Sequence, residues 1–357
     1  MIPEVSYNRA MSANSPLPRP AQAPVSHRLC VAPMMDCTDR HDRYFLRQIT
    51  RHTTLYTEMV TENAVLNGDR DRLLGFHADE HPLALQVGGS NPSRLAECAR
   101  IAAARGYAEV NLNVGCPSSR VQSGRFGACL MAEPALVADC LRAMMDPAVL
   151  PVTVKTRTGI DALDSYEYLC DFVGQIAETG CRTLIVHARK AWLNGLSPKQ
   201  NREIPPLHYD RVYRLKADFP TLEVVINGGV TSLSAAQQHL DRVDGVMLGR
   251  EAYKNPFCLA MADQHLFGDS RPARDRLEVI RSLYGYIDTE LGRGTRLASI
   301  TRHLLGAFQS CPGARRWRRH ISEHAHRPGA GLEVLDAALD FVDGSTKSAT
   351  DELPDMP

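Results

Sequence analysis

The sequence predicts an α/β protein, a (β/α)8 TIM barrel followed by a small all-helical C-terminal domain. Three observations predict it. Eight short apolar runs recur between residue 29 and about residue 258, with amphipathic helical stretches between most of them. Each run ends in polar or glycine residues, and a barrel places its chemistry at that face. Beyond Pro256 the strand pattern stops and only helical periodicity continues. No G-x-G-x-x-G follows the first strand, which counts against an open dinucleotide-binding sheet.

In chain order, residues 1–26 are rich in Pro, Ser and Ala and read as a disordered leader. They carry no apolar h-region and so do not form a secretory signal. The barrel is assigned to residues 27–265, with strands Leu29–Pro33, Leu55–Met59, Leu83–Val87, Glu109–Asn113, Val152–Lys155, Thr183–His187, Val224–Asn227 and Gly245–Gly249. Between them, Pro92–Ala104 places Leu95, Cys98, Ala99 and Ala102 at helical spacing, and Ser165–Thr179 does so with Tyr168, Leu169, Phe172, Val173 and Ile176. The helical domain is assigned to residues 270–343, with helices Leu277–Leu291, Thr301–Phe308 and Leu332–Val342. His303 and Gln309 fall on the polar side of the second of these helices. Residues 344–357 form a polar tail that reads as disordered.

Composition narrows the function. Net charge is +0, so nucleic-acid binding has to come from local basic patches rather than from the whole molecule. No apolar run approaches the roughly 18 residues that span a bilayer. The 10 cysteines include no Cys-x-x-Cys pair, which argues against a zinc or iron–sulfur site. It also implies reduced thiols in the cytoplasm. No metal site is expected.

The segment Asn111-Leu112-Asn113-Val114-Gly115-Cys116-Pro117-Ser118 is the most informative stretch. Gly115 and Pro117 break a strand and make a loop, so Cys116 sits on the first turn after a strand end. A free thiol titrates at about 8.5 and can act there as a proton donor; the plain alternative is a buried structural cysteine. Asn227-Gly228-Gly229 and Gly249-Arg250 close the seventh and eighth strands and suit a phosphate, by backbone approach and a guanidinium fork. Pro33-Met34-Met35 can line one side of a flat aromatic ring. Lys155 needs an anionic partner at a barrel mouth. Such a partner is the N1–O2 edge of a reduced flavin; a Schiff-base role is the alternative. His187 can donate to phosphate, ribityl or carbonyl oxygen, and Gln86 and Asn113 offer amides suited to heteroaromatic edges. Gly313–His320 is densely basic.

The runs APMMD, TEMVTENA, LQVGGS, NLNVGCPS, VKTRTGID, VHARKAW, VINGGV and VMLGREAYKNP occur in order over about residues 28–258. This combination resembles the tRNA-dihydrouridine synthases, and within them the A subfamily. The resemblance implies an FMN-binding barrel, a helical RNA-binding domain, NADPH as reductant, and uridines 20 and 20a of the tRNA D-loop as substrate. It implies Cys116 as proton donor. FMN binding falls to Pro33, Met34, Met35, Gln86, Lys155, His187, Asn227, Gly228, Gly229, Gly249 and Arg250. Asn113 holds the uracil, and Lys199, Arg202, Arg315 and Arg318 contact tRNA. A monomer is expected. Two other readings stand beside it: a flavin barrel that reduces a free pyrimidine or enone, and a non-enzymatic tRNA-binding protein.

Overall fold

The computed structural model describes residues 25–145 and 150–342; the expected tail and all but the last two residues of the expected leader lie outside the described residues. Parallel strands β1 (Leu29–Val31), β2 (Thr54–Tyr56), β3 (Val60–Thr61), β4 (Leu83–Gly88), β5 (Glu109–Val114), β6 (Val152–Arg157), β7 (Thr183–His187), β8 (Glu223–Asn227) and β9 (Gly245–Leu248) pair in the order 2-1-9-8-7-6-5-4-3. A further β2–β4 pairing closes the ring. All eight expected strands are present. Val60–Thr61 is an extra piece beside β4, and it arises from a local break. At Thr57 the side-chain Oγ1 accepts the Gln86 N–H at 3.0 Å, where a strand carbonyl would otherwise do so. The ladder is interrupted there, and the chain turns out at Glu58 before pairing again.

Strand alternation sorts residues by face. Val110, Leu112 and Val114 of β5 belong to the apolar layer under the helices. Glu109, Asn111 and Asn113 alternate with them on the barrel side. An apolar plug of Cys30, Tyr56, Ala84, Ile185, Val225 and Met247 fills the barrel middle. Polar groups therefore gather below the plug and above it, and Thr153, Asn111 and Gln86 link the two along one side of the barrel.

The lower layer is an ionic seal. The His27 imidazole lies 2.6 Å from Glu109 and 2.9 Å from Glu223, while Tyr56 and Thr153 also donate to Glu109. Burial alone would lower the His27 pKa, but its hydrogen bonds and charges with the two carboxylates win and raise it to about 10. The folded value lies above the unfolded 6.5, so the stabilisation is complete below that pH and is lost as pH rises through about 10. We expect His27→Gln to lower unfolding free energy by about 3–5 kcal/mol at pH 6.5, the range for a buried ion pair stripped of one partner. The gap to the wild type should narrow towards pH 10. Denaturant titrations at both pH values check this, and a gap that does not change with pH would exclude an imidazolium there.

The C-terminal region is helical, with differences from expectation. Leu277–Leu291 is two helices, Arg276–Ser282 and Tyr284–Gly292. Ser282 Oγ returns to the Val279 carbonyl and Leu283 N–H bonds Ile280, tightening the chain between them. Thr301–Phe308 is not one helix. A helix over Leu297–Thr301 is followed by a single 3-10 turn at Leu304–Gly306. His303 is buried rather than on a polar face, because its Nε2 meets Asp39 of the barrel at 3.1 Å. The region is seated on the barrel helix Arg40–Ile49 through Arg40–Glu290, His41–Tyr286 and Asp39–Arg302 contacts of 2.6–2.7 Å. Trp317 is fully buried and donates to the Leu304 carbonyl at 3.0 Å, so it anchors the helical core.

Candidate active site

The upper polar layer opens into a cavity of about 1860 Å³. Pro33, Met34, Met35, Gln86, Asn113, Cys116, Lys155, Arg202, His187, Asn227, Gly228, Gly229, Gly249 and Arg250 all line it. Lys199, Arg315 and Arg318 do not. Lys199 is exposed on the loop after β7. Arg315 and Arg318 flank a separate depression at the start of helix Ala314–His324.

A one-way run of hydrogen bonds joins the lower seal to the cysteine loop. Thr153 Oγ1 donates to Glu109 and accepts from Asn111 Nδ2 at 2.8 Å. Asn111 Oδ1 accepts from Gln86 Nε2, and Gln86 Oε1 from Asn113 Nδ2, each at 2.8 Å. Asn113 Oδ1 then accepts the N–H groups of Gly115 (3.1 Å) and Cys116 (3.0 Å). This polarity narrows the expectation for Asn113. Its oxygen is occupied by the loop, so toward a ligand the amide offers one remaining N–H and acts as a donor only. Gln86 keeps one N–H and one lone pair, so it can still do both.

The thiol is held by more than Asn113. Arg157, at the end of β6, donates from Nε to the Gly115 carbonyl at 2.8 Å and from its terminal nitrogen to the Lys190 and Asn201 carbonyls. The Cys116 carbonyl accepts Ala128 N–H at 2.9 Å. A Cβ at Gly127 (φ +75°) would fall 2.6 Å from that carbonyl. Cys116 itself is half-buried, facing the cavity.

Lys155 is the charged centre of the layer. It donates to Asn227 Oδ1 at 2.9 Å, while Asn227 Nδ2 donates to the Met247 carbonyl. Burial, with the nearby Arg157 charge, lowers the Lys155 pKa to about 7 against an opposing pull from Cys116. Burial and the Arg157 and Lys155 charges drive His187 well below its ordinary value, so its ring is neutral. Gly228 stands against this ring: with φ +114°, a Cβ there would lie 2.6 Å from His187 Cδ2. At Gly249 a Cβ would meet nothing within 4 Å, so the space above it is open. Arg250 is not free, being paired with Glu203 at 2.6 Å.

The chain matches the model of the dihydrouridine synthase family over residues 30–343. It belongs to that family. It is 61% identical over 315 residues (88% of this chain, 96% of the relative) to a Vibrio parahaemolyticus protein named tRNA-dihydrouridine(20/20a) synthase. To the Escherichia coli K12 protein of the same name it is 57% identical over 338 residues, covering 94% of this chain and 98% of that one. Among solved structures, a 2-naphthoyl-CoA reductase bound to 2-naphthoyl-CoA is similar at a TM-score of 0.50, over 68% of this chain and 50% of that one. At 9% identity this is a likeness of fold.

As a dihydrouridine synthase family member, the chain shows site groups that reading its motifs one at a time leaves unassigned. Asn111 orients Gln86, and Arg157 ties the cysteine loop to the loop after β7. The signal for both was present as period 2: Glu109, Asn111 and Asn113, like Thr153, Lys155 and Arg157, are polar at every second position of a buried strand. Among the described residues, Arg72, Arg120, Lys254 and Arg296 also line the cavity, with no ion pair to any of them. In the Gly313–His320 segment, Arg316 lies over Phe341 and Arg319 pairs with Glu323. Arg318 makes one 3.3 Å hydrogen bond to Gln309, and Arg315 has no ion pair among the described residues.

Proposed function

We propose that this protein reduces uridines 20 and 20a in the tRNA D-loop to 5,6-dihydrouridine, with FMN as resident cofactor and NADPH as reductant, working as a cytoplasmic monomer. The observation that carries the reading is the convergence of Cys116, Asn113, Gln86, Lys155 and His187 on one cavity in a member of this family. The donor set fits FMN. Gln86 presents an amide that both donates and accepts, Lys155 an ammonium for a developing anion, and neutral His187 an N–H. Gly228, Gly229 and the open space at Gly249 suit ribityl and phosphate groups, with Arg250 sharing Glu203. Pro33, Met34 and Met35 supply apolar cover for the ring.

FMN held by these residues would, once reduced, supply the hydride for C6 of the uracil. The protein does the rest. Asn113 donates its remaining amide hydrogen to a uracil carbonyl, orienting the ring in the cavity. Cys116 delivers a proton to C5 from a loop fixed by Asn113, Arg157 and Ala128, which is general acid catalysis with a positioned donor. Turning the uridine out of folded RNA requires a few kcal/mol, which Lys199, Arg202, Arg315 and Arg318 offset through phosphate contacts.

The decisive test is anaerobic. Protein reduced with NADPH is mixed with unmodified tRNA or, separately, with small enones and orotate, and the flavin absorbance is followed. We expect reoxidation by tRNA alone, with dihydrouridine at positions 20 and 20a; reoxidation only by small acceptors would make the protein a metabolic reductase. For the helical region, replacing Arg315 and Arg318 with Ala is expected to lower the slope of log Kd against log salt by about 0.7–0.9 per lost phosphate contact. An unchanged slope would place the RNA elsewhere.

A further inference from the structure

The run VHARKAW ends in Trp192, a residue not yet given a role. Among the described residues only four large apolar side chains are exposed, namely Met35, Leu163, Trp192 and Ile204. All four lie on loops after barrel strands at the cavity face, and three lie on the adjacent loops after β6 and β7. Scattered exposed apolar groups need no explanation, but grouping at one rim marks a surface that a partner covers.

Trp192 is built into this rim rather than left loose. Buried Asn201 clamps its backbone from both sides, accepting the Trp192 N–H at 2.8 Å and donating to its carbonyl at 2.8 Å. The Lys190 ammonium sits 4.1 Å from the centre of the indole and is itself tied to Asp164 at 2.8 Å. The side chain still remains 40% exposed. The rim is also joined to the catalytic loop. Gln122 Nε2 donates both to the Leu193 carbonyl (2.7 Å) and to the Pro117 carbonyl (2.9 Å), next to Cys116. Exposed Lys199 and Arg202 flank Asn201 on the same turn, and Arg120 is on the helix that holds Gln122; none of the three has an ion pair among the described residues.

We infer that Trp192 is a stacking platform for a nucleobase of the substrate strand next to the uridine that enters the cavity. The inference rests on the tRNA reading above. A rigid aromatic ring among unpaired cations is how proteins hold unpaired RNA, with the ring taking a base and the cations the phosphates on either side. The indole requires no particular base, so it fixes the strand's position at the rim while Asn113 reads the uracil.

The chain has two tryptophans, and Trp317 is buried, which makes the test direct. Holoenzyme and its Trp192→Phe, Trp192→Leu and Trp192→Ala variants are compared for flavin reduction by NADPH, for KM and Kd with unmodified tRNA, and for tryptophan fluorescence on adding tRNA. We expect unchanged flavin reduction in all four. KM and Kd should rise about tenfold for Ala and for Leu and much less for Phe, and tRNA should quench the wild type but not Trp192→Phe. Equal rescue by Leu and Phe would mean simple apolar cover and overturn the stacking role. Unchanged tRNA affinity in the Ala variant, with or without quenching, would overturn it too. A wild type that tRNA does not reoxidise would instead remove the tRNA reading itself.

Discussion

Replacing Cys116 with alanine will slow tRNA-dependent reoxidation of the flavin by about 10²–10⁴-fold, the usual contribution of a positioned general acid, while NADPH-driven flavin reduction stays near the wild-type rate. The asymmetry follows from the geometry. Cys116 is held by its own backbone, through Asn113 Oδ1 and the Ala128 N–H, and its side chain makes none of the hydrogen bonds of the Lys155–Asn227–His187 side of the cavity. On the proposed reading, removing the thiol takes away the proton source and leaves in place the groups proposed to hold the cofactor. Stopped-flow traces of the two half-reactions separate these outcomes. Full turnover in the variant would assign the proton to another group, and an equal loss in both half-reactions would make Cys116 a structural residue of the cofactor pocket.

The same geometry shows what the sequence made legible. Apolar runs closed by polar residues located all eight barrel strands, because a parallel strand buried on both faces has little freedom in composition. Glycine and proline after β5 located the turn that carries Cys116. The donor-only state of Asn113 was out of reach, because it depends on Gln86, 27 residues earlier, and on which way that amide points. Barrel register decides both. The break at Thr57 was hidden for a similar reason: a threonine hydroxyl stands in for a ladder carbonyl without any glycine or proline to mark it. In the helical region, propensity suggested continuous helices over Leu277–Leu291 and Thr301–Phe308, and tertiary contacts overrode it. His303 reads as a surface residue until Asp39, 264 residues away, comes into contact with it. Arg250 shows the limit in the other direction. The motif gives its position correctly, but not that it is already engaged by Glu203.

Lys155→Met, which keeps the length of the side chain and removes its charge, is expected to slow flavin reduction by about 10²–10³-fold, the range for losing one preorganised donor to a developing anion. Among the described residues of the upper layer, this ammonium is the cation whose charge is poised near neutral pH. With its pKa lowered to about 7 by burial and the Arg157 charge, it is charged below that pH and neutral above it. An anionic ligand favours the charged form, so FMN affinity for the apoprotein should fall as pH rises from 6 to 8. The bound anion in turn should hold the proton in the holoenzyme to higher pH. In Lys155→Met this part of the pH dependence should vanish, because the ammonium that carries it is gone. FMN titrations of the apoprotein at several pH values, combined with the rate of flavin reduction, test both halves. A methionine variant with wild-type flavin content, reduction rate and pH profile would mean that Lys155 only orients Asn227 through their 2.9 Å hydrogen bond. The charge at the flavin edge would then have to come from Arg157, the other cation at the end of β6.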